Sequence, residues 1–221
     1  MLKVDNVSFS YRTKKVLENI TIEIDEGEII GLVGENGAGK TTFLNILATL
    51  LKPKKGTITY NDMKYKSKKS AIRKQIGYVP QDIALWEDLT VMENMLFFEK
   101  LSWVNKSEKE LKDILLDMQL DRFDSKVKEL SGGMKRKLNL AISLIHDPSL
   151  LLLDEPTVGI DLKSKIEIND ILDYMSEEEK MTVIYTSHDM DEITQLCDRT
   201  IVFGQDPFYR ELLEREGMPI S

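Results

Sequence analysis

Apolar and polar residues alternate through residues 2–27, with Val4, Val7, Phe9 and Tyr11 and then Ile20, Ile22 and Ile24 on the apolar positions. A period of two puts these side chains on one face of a strand, so two strands are predicted, with a turn at Thr13-Lys14-Lys15. Gly56-Thr57-Ile58-Thr59-Tyr60 predicts another strand after Pro53. The strands of this edge have no intervening helical pattern, and an antiparallel β subdomain is predicted there.

Elsewhere the pattern changes. Glu28-Ile29-Ile30-Gly31-Leu32-Val33 reads as a short buried strand, and Phe43, Ile46, Leu47 and Leu50 then recur at helical spacing. Ile76 to Val79 predicts a strand ending at Pro80-Gln81. From there to Leu130 the chain turns helical: Thr90 to Glu93 and Ser107 to Glu110 are capping-box patterns, and Leu111, Ile114, Leu115 and Met118 form an apolar face. Leu138, Ala141, Ile142 and Ile145 mark the next helix, Leu150 to Leu153 a buried strand, and Ile168, Ile171, Leu172 and Met175 another helix. Met181 to Thr186 predicts a strand closed by Ser187-His188, and Asp206-Pro207 to Gly217 carries the start and stop signals of a short helix. Strands alternating with helices predict an α/β fold with a mainly parallel sheet. Residues 1–221 are expected to form one domain, with 82–130 as an α-helical subdomain inserted into it.

Between the strand at Ile30 and the helix at Phe43 lies Gly34-Glu35-Asn36-Gly37-Ala38-Gly39-Lys40-Thr41-Thr42, which fits G-x-x-x-x-G-K-(S/T). A glycine-rich turn feeding a helix N-terminus is an anion site. Backbone N–H groups point inward, the helix dipole adds partial positive charge, and Lys40 adds a full one. Thr41 offers a hydroxyl where Mg²⁺ would sit. Downstream, Asp154 follows four leucines, where a buried strand would hold its carboxylate rigidly near that metal, and Glu155 stands beside it to orient or activate water. Gln81 and His188 also follow predicted strands, at the carboxyl ends where functional groups of an open parallel sheet collect.

Composition narrows the chemistry. The 221 residues contain 42% hydrophobic residues, enough for a real core, and carry a net charge of −8, which argues against a nucleic-acid partner. One cysteine, Cys197, excludes an internal disulfide and a multi-cysteine zinc site, and two histidines are too few for a histidine-rich metal centre. Cys197 falls in the apolar series Met190, Ile193, Leu196 and reads as core. Lys64, Lys66, Lys68, Lys69, Arg73 and Lys74 form a basic stretch that reads as a solvated arm rather than a lipid or nucleic-acid contact. The start turns polar at once and no stretch approaches the ~20 apolar residues of a membrane span, so a soluble, cytoplasmic chain is expected, with any membrane part supplied by another chain.

Leu130-Ser131-Gly132-Gly133-Met134, opening a helix shortly before Asp154, completes the set. With the phosphate loop it makes the chain resemble the nucleotide-binding subunit of an ABC transporter, over nearly the whole length from Val4 to about Phe203. The resemblance implies a P-loop NTPase core with ATP and Mg²⁺ as cofactors. In the implied site Tyr11 stacks on adenine and Val16 packs near the ribose. Residues Gly34 to Thr42 cradle the phosphates, Thr41, Gln81 and Asp154 face the metal, and Gln81 also touches the attacking water. Glu155 is the general base, His188 the switch at the γ-phosphate, Ser131, Gly132 and Gly133 the signature, and Asp161 the aspartate of the loop after Glu155.

The resemblance also implies partners: a second nucleotide-binding subunit, a copy or a paralogue, and an integral-membrane permease that keeps the chain at the inner face of the membrane. In such a pair the signature of one subunit meets the γ-phosphate held by the other. Trp86, Phe97, Phe98 and Trp103 are candidate permease contacts, although each taken singly reads as core. Two features depart from the commonest form: Met134 stands where glutamine is usual, and the loop reads Val158-Gly159-Ile160-Asp161. The run Ser131 to Leu138 with Glu155 to Asp161 resembles the branch of drug, antibiotic and polysaccharide exporters. The competing expectation is a regulatory ATPase of the same superfamily driving another complex.

Overall fold

The computed structural model describes residues 1–221. Two sheets form the frame. β1 (Leu2–Tyr11), β2 (Lys14–Ile24), β4 (Lys55–Tyr60) and β5 (Met63–Lys64) make an antiparallel sheet in the order β2-β1-β4-β5. β3 (Ile29–Gly34), β6 (Ile76–Val79), β7 (Leu150–Asp154), β8 (Thr182–Thr186) and β9 (Arg199–Phe203) make a parallel sheet in the order β6-β7-β8-β3-β9.

The parallel strands are buried on both faces, and successive side chains serve two different cores. Ile30, Leu32, Leu150, Leu152, Ile184 and Ile201 point one way, onto Val4, Val7 and Ile24 of the antiparallel sheet and onto α1 (Lys40–Leu47). Ile29, Val33, Leu151, Leu153, Val183 and Tyr185 point the other way. There they meet α5 (Gly132–Leu144), α6 (Leu162–Glu177), α7 (Met190–Leu196) and α8 (Pro207–Arg215). Full burial of β7 and β8 explains why they read as unbroken apolar runs, whereas β1 alternates because its second face is wet.

Between β6 and β7 the chain forms α3 (Val91–Leu101), α4 (Glu108–Asp117), a single 3₁₀ turn (Val127–Glu129) and α5. Both capping boxes are formed: Thr90 accepts from Glu93 N at 3.1 Å and Ser107 from Glu110 N at 3.3 Å, while each glutamate reaches back to its cap. Each cap stabilises its helix by about 1 kcal/mol. Cys197 is buried in the core as expected, and burial pushes its thiol pKa up.

Three regions differ from the pattern reading. The basic stretch is a short helix, α2 (Tyr65–Arg73), pinned because Tyr65 donates to the Leu47 carbonyl at 3.0 Å and Arg73 to Thr49 Oγ1 at 2.6 Å. No strand is predicted at β9, although Thr200-Ile201-Val202-Phe203 is a β-branched and aromatic run; Ile201 and Phe203 pack in an apolar slot beside β3. The aromatic residues Trp86, Phe97 and Trp103 are not core: they are 56%, 37% and 47% exposed, with Trp86 and Phe97 edge to face at 5.7 Å. Phe98 alone packs against the core.

Candidate functional site

The site forms where β3, β6, β7 and β8 end. β3 closes at Gly34, whose φ of 148° no side chain tolerates there; a Cβ would also lie 2.2 Å from the Phe203 carbonyl oxygen. The loop returns to α1 through Gly39 at φ 107°, so tight against β2 that a Cβ would meet Leu17 and Val16 within 3 Å. Val16 therefore borders the loop. No side chain caps α1, so its first N–H groups face into the turn formed by Gly34, Glu35, Asn36, Gly37, Ala38 and Gly39. Lys40 folds back inside this turn and donates to the carbonyls of Gly34 at 2.6 Å and Glu35 at 3.1 Å. Burial pulls its pKa down, opposed by the charges of Glu155, Asp154 and Glu35.

Asp154 ends β7, 3% exposed. Thr41 donates to its Oδ1 at 3.2 Å and Thr186, ending β8, at 3.0 Å. Burial raises the Asp154 pKa, against the lowering by these two hydroxyls. A hydroxyl and a buried carboxylate side by side are hard oxygen donors, and a buried anion of this kind is stabilised by a nearby cation; both suit Mg²⁺.

Glu155 is the residue around which the other groups gather. Its backbone is left-handed, φ 50°, which costs about 1 kcal/mol or more in a residue with a side chain. The turn aims the carboxylate away from β7 and across the strand ends. Gln81 donates to Oε2 at 2.8 Å, His188 Nε2 lies 2.6 Å from Oε1, and the Glu155 amide donates to Thr186 Oγ1 at 2.8 Å. Gln81, Glu155 and His188, drawn from three strand ends, thus stand together beside Thr41 and Asp154.

The remaining predicted residues form separate groups. Ser131 caps α5, accepting from Met134 N at 3.2 Å, and with Gly132 it faces solvent. Gly133 is buried under α6, where a Cβ would fall 2.0 Å from Ser164 Oγ. Asp161 caps α6: Ser164 donates to it through its amide at 3.0 Å and its hydroxyl at 2.7 Å, which draws the carboxyl pKa down. The Ser131–Gly133 turn and the Asp161 loop are thus neighbours, with no hydrogen bond to the Glu155 group. Tyr11 is 49% exposed, its ring held edge-on by Phe9 at 4.9 Å. Thr42 is buried under the loop.

Two polar residues to which the sequence reading gives no role shape the site. Thr186 ties Asp154 to the Glu155 amide. Arg136, on α5, donates to the Gln81 carbonyl at 2.6 Å and so holds the backbone that presents Gln81. The strand pattern marks where Thr186 lies but not what it touches, and the Ser131 to Leu138 run contains Arg136 without marking its contact with Gln81.

A protein-family model described as ABC transporter matches residues 17–158, and one described as AAA domain, putative AbiEii toxin, Type IV TA system, matches residues 126–193. The linearmycin resistance ATP-binding protein LnrL of Bacillus subtilis is 38% identical over 208 residues, covering 93% of this chain and 67% of its own. The Nod factor export ATP-binding protein I of Burkholderia orbicola is 39% identical, covering 90% and 66%. Among solved structures, the dimeric post-hydrolysis ATP-binding cassette MJ0796 with ADP and Pi superposes with a TM-score of 0.82 at 29% identity, covering 92% of this chain and 94% of that one. The chain belongs to the ABC transporter family, as its ATP-binding and ATP-hydrolysing subunit.

Proposed function

We propose that this subunit drives export of a substrate through a separate integral-membrane permease, and that it does so as one half of a head-to-tail pair. The observation that carries the hydrolytic step of this reading is Glu155, held between Gln81 and His188 beside the Thr41–Asp154 pair. A carboxylate so placed accepts the proton of a water as that water attacks the γ-phosphorus, and ADP leaves with the β–γ bridging oxygen. Lys40 leaves the two carbonyls and binds phosphate oxygen. Gln81 orients the water, and His188 donates to the γ-phosphate. Mg²⁺, held by Thr41 and Asp154 with Gln81 facing it, would neutralise the charge of the β- and γ-phosphates. Tyr11 offers a ring face to adenine, with Val16 beneath the ribose.

Ser131, Gly132 and Gly133 begin α5, with Ser131 and Gly132 facing solvent and Gly133 packed under α6, a second helix N-terminus for phosphate. In the head-to-tail pair they close over the nucleotide of the second subunit, with Asp161 alongside. Hydrolysis then removes the link between the two subunits. The dimer described for the cassette MJ0796 and the words resistance and export in the names of two relatives support pairing and outward transport. The permease keeps the subunit at the inner face of the membrane; no helix here is long and apolar enough to cross one. Exposed Trp86, Phe97 and Trp103 are the surface for that contact.

Purification of the tagged chain from its native membrane, with identification of what accompanies it, tests the reading. A multi-span protein recovered in stoichiometric amount is the expected result. Recovery of a soluble complex with no membrane protein would contradict it.

A further inference from the structure

Behind His188 lies a buried polar cluster that ATP hydrolysis as described leaves unused. Glu192, on α7, is only 5% exposed although it is a carboxylate. Three hydroxyls donate to its Oε2: Ser187 at 2.5 Å, Thr157 at 2.9 Å and Tyr185 at 3.1 Å. Its Oε1 accepts no hydrogen bond; Lys165 Nζ lies 3.1 Å away, off the bonding direction, so this contact is one of charge. Lys165 also lies 2.7 Å from Asp189 Oδ2, which draws the Asp189 pKa down. The Asp189 amide donates to Ser187 Oγ at 3.0 Å.

The origin of these partners gives the cluster its meaning. Ser187 and Asp189 flank His188. Thr157 lies two residues after Glu155. Lys165 stands on α6, one turn after its cap Asp161. The His188 ring itself is 39% exposed, and the side-chain partner that it meets is Glu155. Its place is therefore set by Ser187 and Asp189 on either side, and both are tied to the Glu192–Lys165 pair. A carboxylate is costly to bury unless it is paired and fully hydrogen-bonded, so this one constrains every group that satisfies it. The arrangement is also unequal: three hydroxyls saturate one oxygen, and a single ammonium balances the other.

The geometry points to Glu192, with Lys165 as its counter-ion, as the positioning residue that holds His188 in register with Glu155. It does so by fixing the backbone on both sides of the histidine and the loop after the glutamate to one buried anion. The inference rests on the roles proposed for His188 and Glu155, but its geometry can be read without turnover.

The chain has two histidines, so isotope-labelled rings give a two-residue spectrum. His146, whose ring packs edge-on to Trp103 at 4.7 Å, is the internal reference. Glu192→Gln keeps an acceptor for the hydroxyls but turns an amide N–H toward Lys165. Expected are a displaced and broadened His188 signal in nucleotide-free protein and an unmoved His146 signal. With ATP, kcat should fall on the order of ten- to a hundredfold while KM changes by less than about threefold, because the phosphate loop is untouched. Glu192→Gln with Lys165→Gln removes the clash between amide and ammonium, and most of the turnover and the native His188 signal should return. That double variant also carries the test if the single one fails to fold. A Glu192→Gln protein with native His188 signal and kcat would overturn the inference. So would a folded double variant that stays as impaired as the single, or a single variant in which both histidine signals move together. Full turnover in His188→Ala would instead overturn the role of the histidine, while the ring spectra would still read its positioning.

Discussion

The carboxyl ends of the parallel strands and the start of α5, the two regions proposed to bind phosphate, are built in opposite ways. At the strand ends, charge is buried and crowded: Lys40, Asp154 and Glu155 share one space, two of them with pKa values displaced by burial, and the backbone is strained at Glu155. At α5 nothing is strained. Ser131 satisfies its own helix, Gly132 is open, and the turn presents N–H groups outward. In the proposed function the first region is organised around chemistry and tolerates instability to do so. The second, in the same proposal, is an edge that acquires its task from what docks on it.

Substitutions at three positions probe that contrast and one at a fourth position serves as a control, the largest effect first. Lys40→Ala should abolish ATP turnover and weaken ATP binding by about 1.5–3 kcal/mol, the value of hydrogen bonds to a charged group. Calorimetric titration measures it, and unchanged affinity would remove the phosphate-loop assignment. Tyr11→Ala should cost about 1–3 kcal/mol of nucleotide binding by analogy with base stacking, whereas Tyr11→Phe should keep most of it. If phenylalanine is as weak as alanine, the hydroxyl rather than the ring face is what binds.

The third exploits the stored instability. Burial raises the Asp154 pKa above its ordinary 3.8, so the folded state favours the protonated form. The stability this gives is complete below that value and is lost as pH rises through the higher folded pKa. At neutral pH the nucleotide-free protein therefore carries the cost of an ionised Asp154. Asp154→Asn should raise the melting temperature at pH 7 by about 2–4 °C, roughly 1 kcal/mol, while hydrolysis is lost. A lower melting temperature would show that the Thr41 and Thr186 hydrogen bonds outweigh burial.

The smallest effect belongs to neither site. At the opposite end of the sheet Arg199 donates to Glu28 at 3.1 and 3.0 Å and draws the glutamate pKa down. That stability is present above the ordinary pKa of 4.5 and fades as pH falls through the lower folded one. Arg199→Ala should cost about 1 kcal/mol in denaturant unfolding at pH 7, less in acid, and leave kcat alone.

Much of this was legible in the residues. The alternation in β1 and the apolar run of β7 follow directly from one wet face and none. The phosphate loop, Asp154, Glu155, Gln81 and His188 each follow a strand, and one sheet must bring its strand ends together. What the sequence hides is contact between distant side chains. Arg136 reaches a backbone carbonyl 55 positions away, and Glu192 looks like any acidic residue on a short helix until its donors are seen. The exposure of Trp86 and Trp103 escaped for the same reason, since an aromatic residue carries no mark of which side it faces.

The claim that the two anion sites complete one another between subunits is tested most directly by trapping ATP. Glu155→Gln keeps the shape of the carboxylate but cannot accept a proton, and should slow hydrolysis by about a hundred- to ten-thousandfold with ATP still bound. Size-exclusion chromatography with light scattering then reads the mass, with ATP present and Mg²⁺ withheld. The prediction is a dimer that forms with ATP and is lost when Ser131→Arg is added, because a bulky cation fills the place of phosphate at the start of α5. An ATP-loaded Glu155→Gln protein that remains monomeric at high concentration, or a dimer indifferent to Ser131→Arg, would contradict the account.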